Sequence, residues 1–373
     1  MQATPATRFM AIGVPCGDAF FIELESGFTA LVDGGRSAAG FPCQFTKATG
    51  RTGVDVLVCT HNDADHANGV LGFLREGLSC AEVWLPGSWA TAIGAMERDP
   101  AAERLACEAS AREEPAESLE QLGEKLSAGP SERVAQADSG GASPDAPLER
   151  CFGEREGAEN GWPWWLRWES PPYAWGPRSL FLEAVGAGGR IRQIAELAYH
   201  RGCRVRWLQY CGSPGSGGIP GSLVSVNARE VTALPPPPAG TLAALALTTA
   251  NRESLVYHCP AGPGVLFTAD SELVGLSVPW RPGMLITAPH HGSQANAKAY
   301  AGFNAPPPNT PLSTWVRSDG RYKTRPGQCY VALDARKYCT LCRGSSRPKQ
   351  DVELSLVGGV WQPSPKTQQC ACI

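Results

Sequence analysis

The chain contains no run of about 18 apolar residues, the length that a membrane-crossing helix needs. The apolar stretch Thr241–Ala250 is too short and reads as a strand. The opening residues lack a basic region followed by an apolar core, so no signal peptide is expected and the reading is a soluble, cytoplasmic protein without membrane contact. The glycine-rich stretch 187–195 has no following Gly-Lys-Ser or Gly-Lys-Thr, which excludes a phosphate loop. Histidine is scarce: the 373 residues hold six, at His61, His66, His200, His258, His290 and His291. What the chain does have is enough apolar sequence, 43%, for a sizeable core in one large or two modest domains.

Four of the six histidines close apolar strands. The segment Val58-Cys59-Thr60-His61-Asn62-Asp63-Ala64-Asp65-His66 follows the apolar run Val54–Val58 and sets His61, Asp63, Asp65 and His66 in one turn. Imidazole nitrogens and carboxylate oxygens together suit zinc, manganese or iron. The same segment also reads as a polar loop whose aspartates cap the following helix. Two distant segments favour metal. Gly264–Ala269 is a buried-strand pattern that ends in Asp270, and Met284–Pro289 is another that ends in His290 and His291, followed by Gly292 and Ser293.

The order of these motifs, with Asp33-Gly34-Gly35 before them, resembles the metallo-β-lactamase fold superfamily, in particular the branch that includes the hydrolase domain of the competence protein ComEC. Gly17–Ile22, Leu31–Val32, and Asn251, Ser254, Leu255 and Val256 fit the same branch. The likeness spans roughly residues 8–90 and 240–330. It implies an α/β fold, a four-layered αββα sandwich, here with a helical insertion. It also implies two divalent ions, zinc or manganese, sharing a water activated for attack on phosphorus or a carbonyl. By resemblance His61 and Asp63 serve the first ion, Asp65 and His66 the second, and Asp270 bridges them. One of His290 and His291 completes the ligands while the other serves the substrate, and which does which stays open. Asp65, His290 and His291 are thus the catalytic candidates. Asp63 stands where the superfamily has a second histidine, which makes that position harder and more anionic, so that zinc is less exclusive and manganese fits better than with two histidines. Asp33 is expected to support the surrounding loops rather than bind metal. Arg317 and Ser318, after the strand Thr314–Val316, are phosphate-clamp candidates. His200 has no matching surroundings.

Among the fourteen cysteines one set stands apart: Cys339 and Cys342 in C-x₂-C spacing, then Cys370 and Cys372. Val352–Val357 and Gly359–Trp361 read as a hairpin that would bring the pairs together. Four thiolates would form a structural zinc site, with reduced thiols as the alternative and a disulfide framework disfavoured.

The domain reading is residues 1–90 as the first half of the core, 91–175 as an acidic helical insertion with an aromatic joint, 176–330 as the second half, and 331–373 as a basic C-terminal extension. Strands are expected at Phe9–Val14, Phe20–Glu25, Thr29–Val32, Val54–Thr60 and Ala81–Leu85, and a helix at Ala67–Glu76. Residues 97–160 carry 16 acidic against 7 basic side chains, and residues 315–350 carry nine basic against two acidic ones. The acidic stretch is either a solvated helical face or a surface for a protein partner across residues 90–160. The tryptophans of 162–175 either pack a joint or stack bases. The basic stretch either attracts a phosphodiester substrate, DNA among them, or forms ordinary salt bridges with the acidic one, with phosphate binding slightly favoured. A dinuclear phosphodiesterase or nuclease is therefore the leading expectation. The alternatives are a small-molecule phosphoester, lactone or thioester hydrolase, and an effector of a defence or toxin system.

Overall fold

Near-continuous apolar runs give the N-terminal strands two buried faces, so they demand partners on both sides. A computed structural model describes residues 7–90, 189–232, 253–301, 312–319, 325–341, 350–370 and 372. The expected acidic insertion 91–175 with its tryptophans, the strand expected at Thr241–Ala250, Asn251 and Cys342 lie outside the described residues. In chain order come β1 (Arg8–Ala11), β2 (Phe20–Glu23), β3 (Thr29–Val32), α1 (Phe41–Thr49), β4 (Gly53–Val58), α2 (Ala64–Arg75) and β5 (Ser79–Pro86). After residues 189–200, which are helical, follow β6 (Arg204–Tyr210), β7 (Gly218–Ile219), β8 (Leu223–Ser225), β9 (Ala228–Val231), β10 (Tyr257–Cys259), β11 (Val265–Phe267) and β12 (Leu285–Thr287). The last strands are β13 (Thr314–Arg317), β14 (Arg336–Cys339), β15 (Val352–Val357) and β16 (Val360–Pro363).

These strands make two mixed sheets. One has nine strands in the order β16-β15-β1-β2-β3-β4-β5-β6-β9, and the other has seven in the order β14-β13-β12-β11-β10-β8-β7. Phe9, Ala11, Phe20, Ile22 and Val32 of the first sheet share a core with Tyr257, Val265, Phe267, Leu285 and Val316 of the second. Met10, Ile12, Phe21 and Leu31 face the opposite way, onto Phe45 of α1, Val70 and Phe73 of α2, and Ile191 and Ile194. Phe45 and Phe73 meet edge to face at 5.2 Å, a geometry that adds about 0.5–1.5 kcal/mol beyond area burial. On the far side of the second sheet, Leu266, Ile286 and Trp315 pack with Tyr300 and Tyr330. The result, among the described residues, is an α/β sandwich of two mixed sheets with few helices. No described helix is long and apolar enough to cross a membrane.

The C-terminal stretch is not an appendage. Residues 331–373 supply β14 to the edge of the second sheet and β15 and β16 to the first, where β15 pairs antiparallel with β1. The expected hairpin is present as β15 and β16. Its place beside β1 follows from Val352, Leu354 and Trp361, which are buried with the inter-sheet core.

Sheet direction places the chemistry. β3 and β4 are parallel, as are β11, β12 and β13. The segments that follow these strands therefore leave at one end of their sheet, the usual location of sites in parallel sheets. Asp33, residues 59–66, Asp270, residues 290–291 and residues 318–319 all lie on these departing segments. Asp18 immediately precedes β2, which runs antiparallel to β3, and so lies at the same end.

Candidate metal centre

Backbone conformation already marks this end of the sandwich. Asp33, Ala269, His290, His291 and Asp319 all have left-handed φ values between 47° and 60°, a conformation that costs a non-glycine residue about 1–3 kcal/mol and that collects at functional sites. Close backbone contact holds α2 in place. A Cβ on Gly69 would lie 1.8 Å from the Gly34 carbonyl oxygen, so a helix with any larger residue there could not approach the Asp33–Gly35 turn this closely.

Asp63 occupies the N-cap position of α2, yet its side chain makes no capping hydrogen bond. Its Oδ2 stands 3.7 Å from His61 Nε2 instead. That contact favours the ligand reading of this turn over the helix-capping one.

Three imidazoles share one arrangement. His66 Nδ1 is 2.8 Å from Asp33 Oδ2, and His291 Nδ1 is 2.9 Å from Asp18 Oδ1. An ionised carboxylate only accepts, so each Nδ1 carries the proton. His61 Nδ1 is 2.9 Å from Thr60 Oγ1, and the Thr60 hydroxyl donates to Asp33 Oδ2 at 2.7 Å. With its one proton committed, Thr60 must accept from His61 Nδ1. In the neutral ring each Nε2 then carries the lone pair; all three are buried and have no hydrogen-bond partner.

Each lone pair faces a carboxylate. His61 Nε2 is 3.7 Å from Asp270 Oδ2, His66 Nε2 is 3.4 Å from Asp270 Oδ1, and His291 Nε2 is 3.4 Å from Asp65 Oδ2 and 4.0 Å from Asp270 Oδ1. Acceptors facing acceptors in a dry site are unfavourable unless a cation lies between them. Histidine with Nδ1 fixed by a second group and Nε2 presented inward is the arrangement of metal-ligating imidazoles. His61, His66 and Asp270 form one group able to hold a metal ion, and Asp18, His66 and His291 form another.

The electrostatics show a demand for positive charge between the rings and the carboxylates, which a proton or a cation can meet. Burial opposes charge on His66 and His291, but the surrounding aspartates outweigh it and hold both well above the ordinary histidine pKa. Burial likewise opposes charge on Asp270, and the neighbouring histidines outweigh it and hold its pKa well below the usual value. His61 differs: burial, helped by His66, lowers it to about 4. Its lone pair is therefore available at neutral pH.

His290 points differently from its neighbour. Its Nδ1 lies 3.0 Å from Asn296 Oδ1, while Asn296 Nδ2 donates to the Asp270 carbonyl at 2.9 Å. The Asn296 amide is thereby oriented, and the His290 Nε2 lone pair accepts from Arg325 Nη2 at 2.7 Å. Arg325 is buried and also meets Asp319 Oδ2 at 3.5 Å. His290 Nε2 lies 3.8 Å from Asp270 Oδ2, so Arg325 brings a positive charge to the rim of the cluster. On the other flank Arg190 Nη2 donates to the Asn62 carbonyl at 3.1 Å.

Two expectations need correction. Arg317 is no phosphate clamp: its guanidinium is committed to the carbonyls of His291, Ser318, Asp319 and Leu341. Ser318 is buried as well, and its hydroxyl donates to Asp18 Oδ1. The strand β13 runs one residue longer than expected, which draws Arg317 into the fold. His200 is exposed at the end of its helix. Sequence reasoning assigned no role to Asp18, Thr60, Asn296, Arg190 or Arg325. Asp18 had a usable signal, an acid in a glycine turn between apolar strands, whereas Arg325 was visible only as one charge in a basic stretch.

No protein-family model matches this chain, and no curated protein matches it.

Proposed function

We propose that this protein is a metal-dependent hydrolase of the metallo-β-lactamase fold superfamily, and that it is a dinuclear phosphodiesterase, with nucleic acid as the favoured substrate. One observation carries the reading: three buried imidazole Nε2 lone pairs, each with its Nδ1 held from behind, converge on the two oxygens of Asp270. His61, Asp63 and Asp270 Oδ2 would hold one ion, and Asp65, His66, His291 and Asp270 Oδ1 the other. Asp270 suits a bridge because its oxygens face different histidines. His291 takes the ligand role, and His290, with both nitrogens engaged, positions Arg325.

Bound divalent ions supply Lewis acidity and lower the pKa of water. The chain's own residues do the rest. Asp33, Thr60 and Asp18 fix the tautomers of the ligating histidines. Arg325, next to His290, would meet negative charge that develops on a phosphoryl oxygen. Burial of the carboxylates excludes competing water and strengthens each electrostatic contact. Arginines on both flanks, Arg325 and Arg190, favour an anionic substrate over a neutral lactone or thioester.

The test is metal analysis of the purified protein together with phosphodiesterase and nuclease assays in zinc, manganese or magnesium. Hydrolysis should vanish in Asp270→Asn and after chelation, return with added metal in the parent protein only, and weaken steeply with salt on DNA. Activity that survives Asp270→Asn would sink the site assignment. Turnover of small esters, lactones or thioesters alone would sink the substrate half.

A further inference from the structure

A second cluster of ligand-type side chains lies behind the first. Cys339 ends β14, and the C-terminal segment returns beside that strand through the bridge of Tyr338 with Gln369 and the bond from Cys370 N to the Lys337 carbonyl at 2.9 Å. This brings the thiols of Cys339, Cys370 and Cys372 within 4.8 Å of one another, with Cys339 and Cys372 Sγ at 4.0 Å. Zinc–sulfur bonds of about 2.3 Å in a tetrahedron place sulfurs about 3.8 Å apart. Cys339 and Cys372 are buried. Cys342 lies outside the described residues, and the site stands on the three thiols that are described.

Arg317 is a second, independent observation. Its guanidinium is buried, donates to four carbonyl oxygens, and directs Nη2 at Cys372 Sγ at 3.6 Å. Neutral carbonyls solvate a buried cation but do not cancel its charge, and buried charge calls for a partner of opposite sign. Three thiolates around one zinc ion carry a net charge of −1, which Arg317 would offset.

We propose that Cys339, Cys370 and Cys372 hold a structural zinc ion, distinct from the His/Asp centre, that pins the C-terminal segment to β14 and balances Arg317. Binding deprotonates the three thiols, the protons pass to solvent, and no redox change is involved. The ion takes its remaining ligand from water.

The experiment uses the full chain, purified with reductant, and the variants Asp270→Asn, Cys339→Ser and Cys372→Ser. Asp270→Asn removes the carboxylate common to the His/Asp centre, and the thiolate band and the thiol-linked release described next report on the cysteines alone, whatever becomes of the hydrolase reading. The expected result is one zinc retained in Asp270→Asn. Cobalt in its place should give the intense near-ultraviolet thiolate-to-cobalt band, lost in a second background that adds Cys339→Ser or Cys372→Ser. Should the cysteine variants fail to fold, an organomercurial titration of Asp270→Asn should release its zinc in step with thiol modification. Absence of retained zinc and of the cobalt band, or a disulfide between any two of the three cysteines in the reduced protein, would overturn the proposal.

Discussion

Asp18 and His291, 273 positions apart in the chain, meet through a 2.9 Å contact from imidazole Nδ1 to carboxylate Oδ1. The Ser318 hydroxyl donates to that same oxygen. This contact sets the tautomer of His291 and turns its Nε2 toward Asp65 and Asp270. Asp18→Asn keeps the shape but removes the charge that raises the basicity of His291. Metal affinity should fall about 10–100-fold, measured by competition with a chromogenic chelator. An unchanged affinity would mean that His291 does not ligate.

Arg325 bridges His290 and Asp319. Arg325→Lys keeps the charge and loses the planar fork. The expected effect on a phosphodiester substrate is a fall in kcat of about 10²-fold, comparable with the loss of one transition-state donor, at a KM changed much less. Thermal unfolding of the same preparation separates this from loss of fold: activity that merely tracks the folded fraction would assign Arg325 a packing role.

Gly69 faces Gly34 so closely that an added Cβ would lie 1.8 Å from the Gly34 carbonyl oxygen. Both partners are backbone, so neither can swing aside. Gly69→Ala should lower stability by about 1–3 kcal/mol in denaturant unfolding. Because Gly34 N also donates to the His66 carbonyl at 3.0 Å, metal affinity should drop with it. Parent-like stability would show that α2 can shift outward at no cost.

His258 sets part of the acid limb of stability. It is buried on β10 with Nε2 unpaired, and burial, with Arg281 second, lowers its pKa from 6.5 to about 4. Between those values the unfolded chain binds a proton that the folded chain refuses, so this group's contribution is intact above 6.5 and lost as the pH falls toward 4. His258→Gln should flatten the stability profile across that window, by up to about one proton in slope, and leave it unchanged above. An identical slope in both proteins would remove His258 from the acid response.

The strands from Phe20, Thr29, Gly53 and Ser79 were legible within two residues, because alternation and turn residues are local properties. The α2 helix begins at Ala64, three residues before the apolar spacing suggested. Ala64, Asp65 and His66 open the helix behind the N-cap Asp63, and helix starts do not need apolar residues. Arg317 misled for a related reason. A charged residue at a strand end looks solvent-facing in one dimension, but β14 and the C-terminal segment cover it.

Sequence by itself determined which strands are apolar on both faces and that His61, Asp63, Asp65, His66, Asp270, His290 and His291 each end or follow one. It also determined the scarcity of histidine that made their grouping informative. Only tertiary structure decided that the two oxygens of Asp270 face different histidines, that His291 and not His290 has its inner nitrogen free of hydrogen bonds, and that Asp18 and Thr60 orient the rings. The division has a physical cause. Periodicity and turn chemistry act over a few residues, whereas a ligand set depends on strand direction and sheet packing that join positions more than two hundred residues apart.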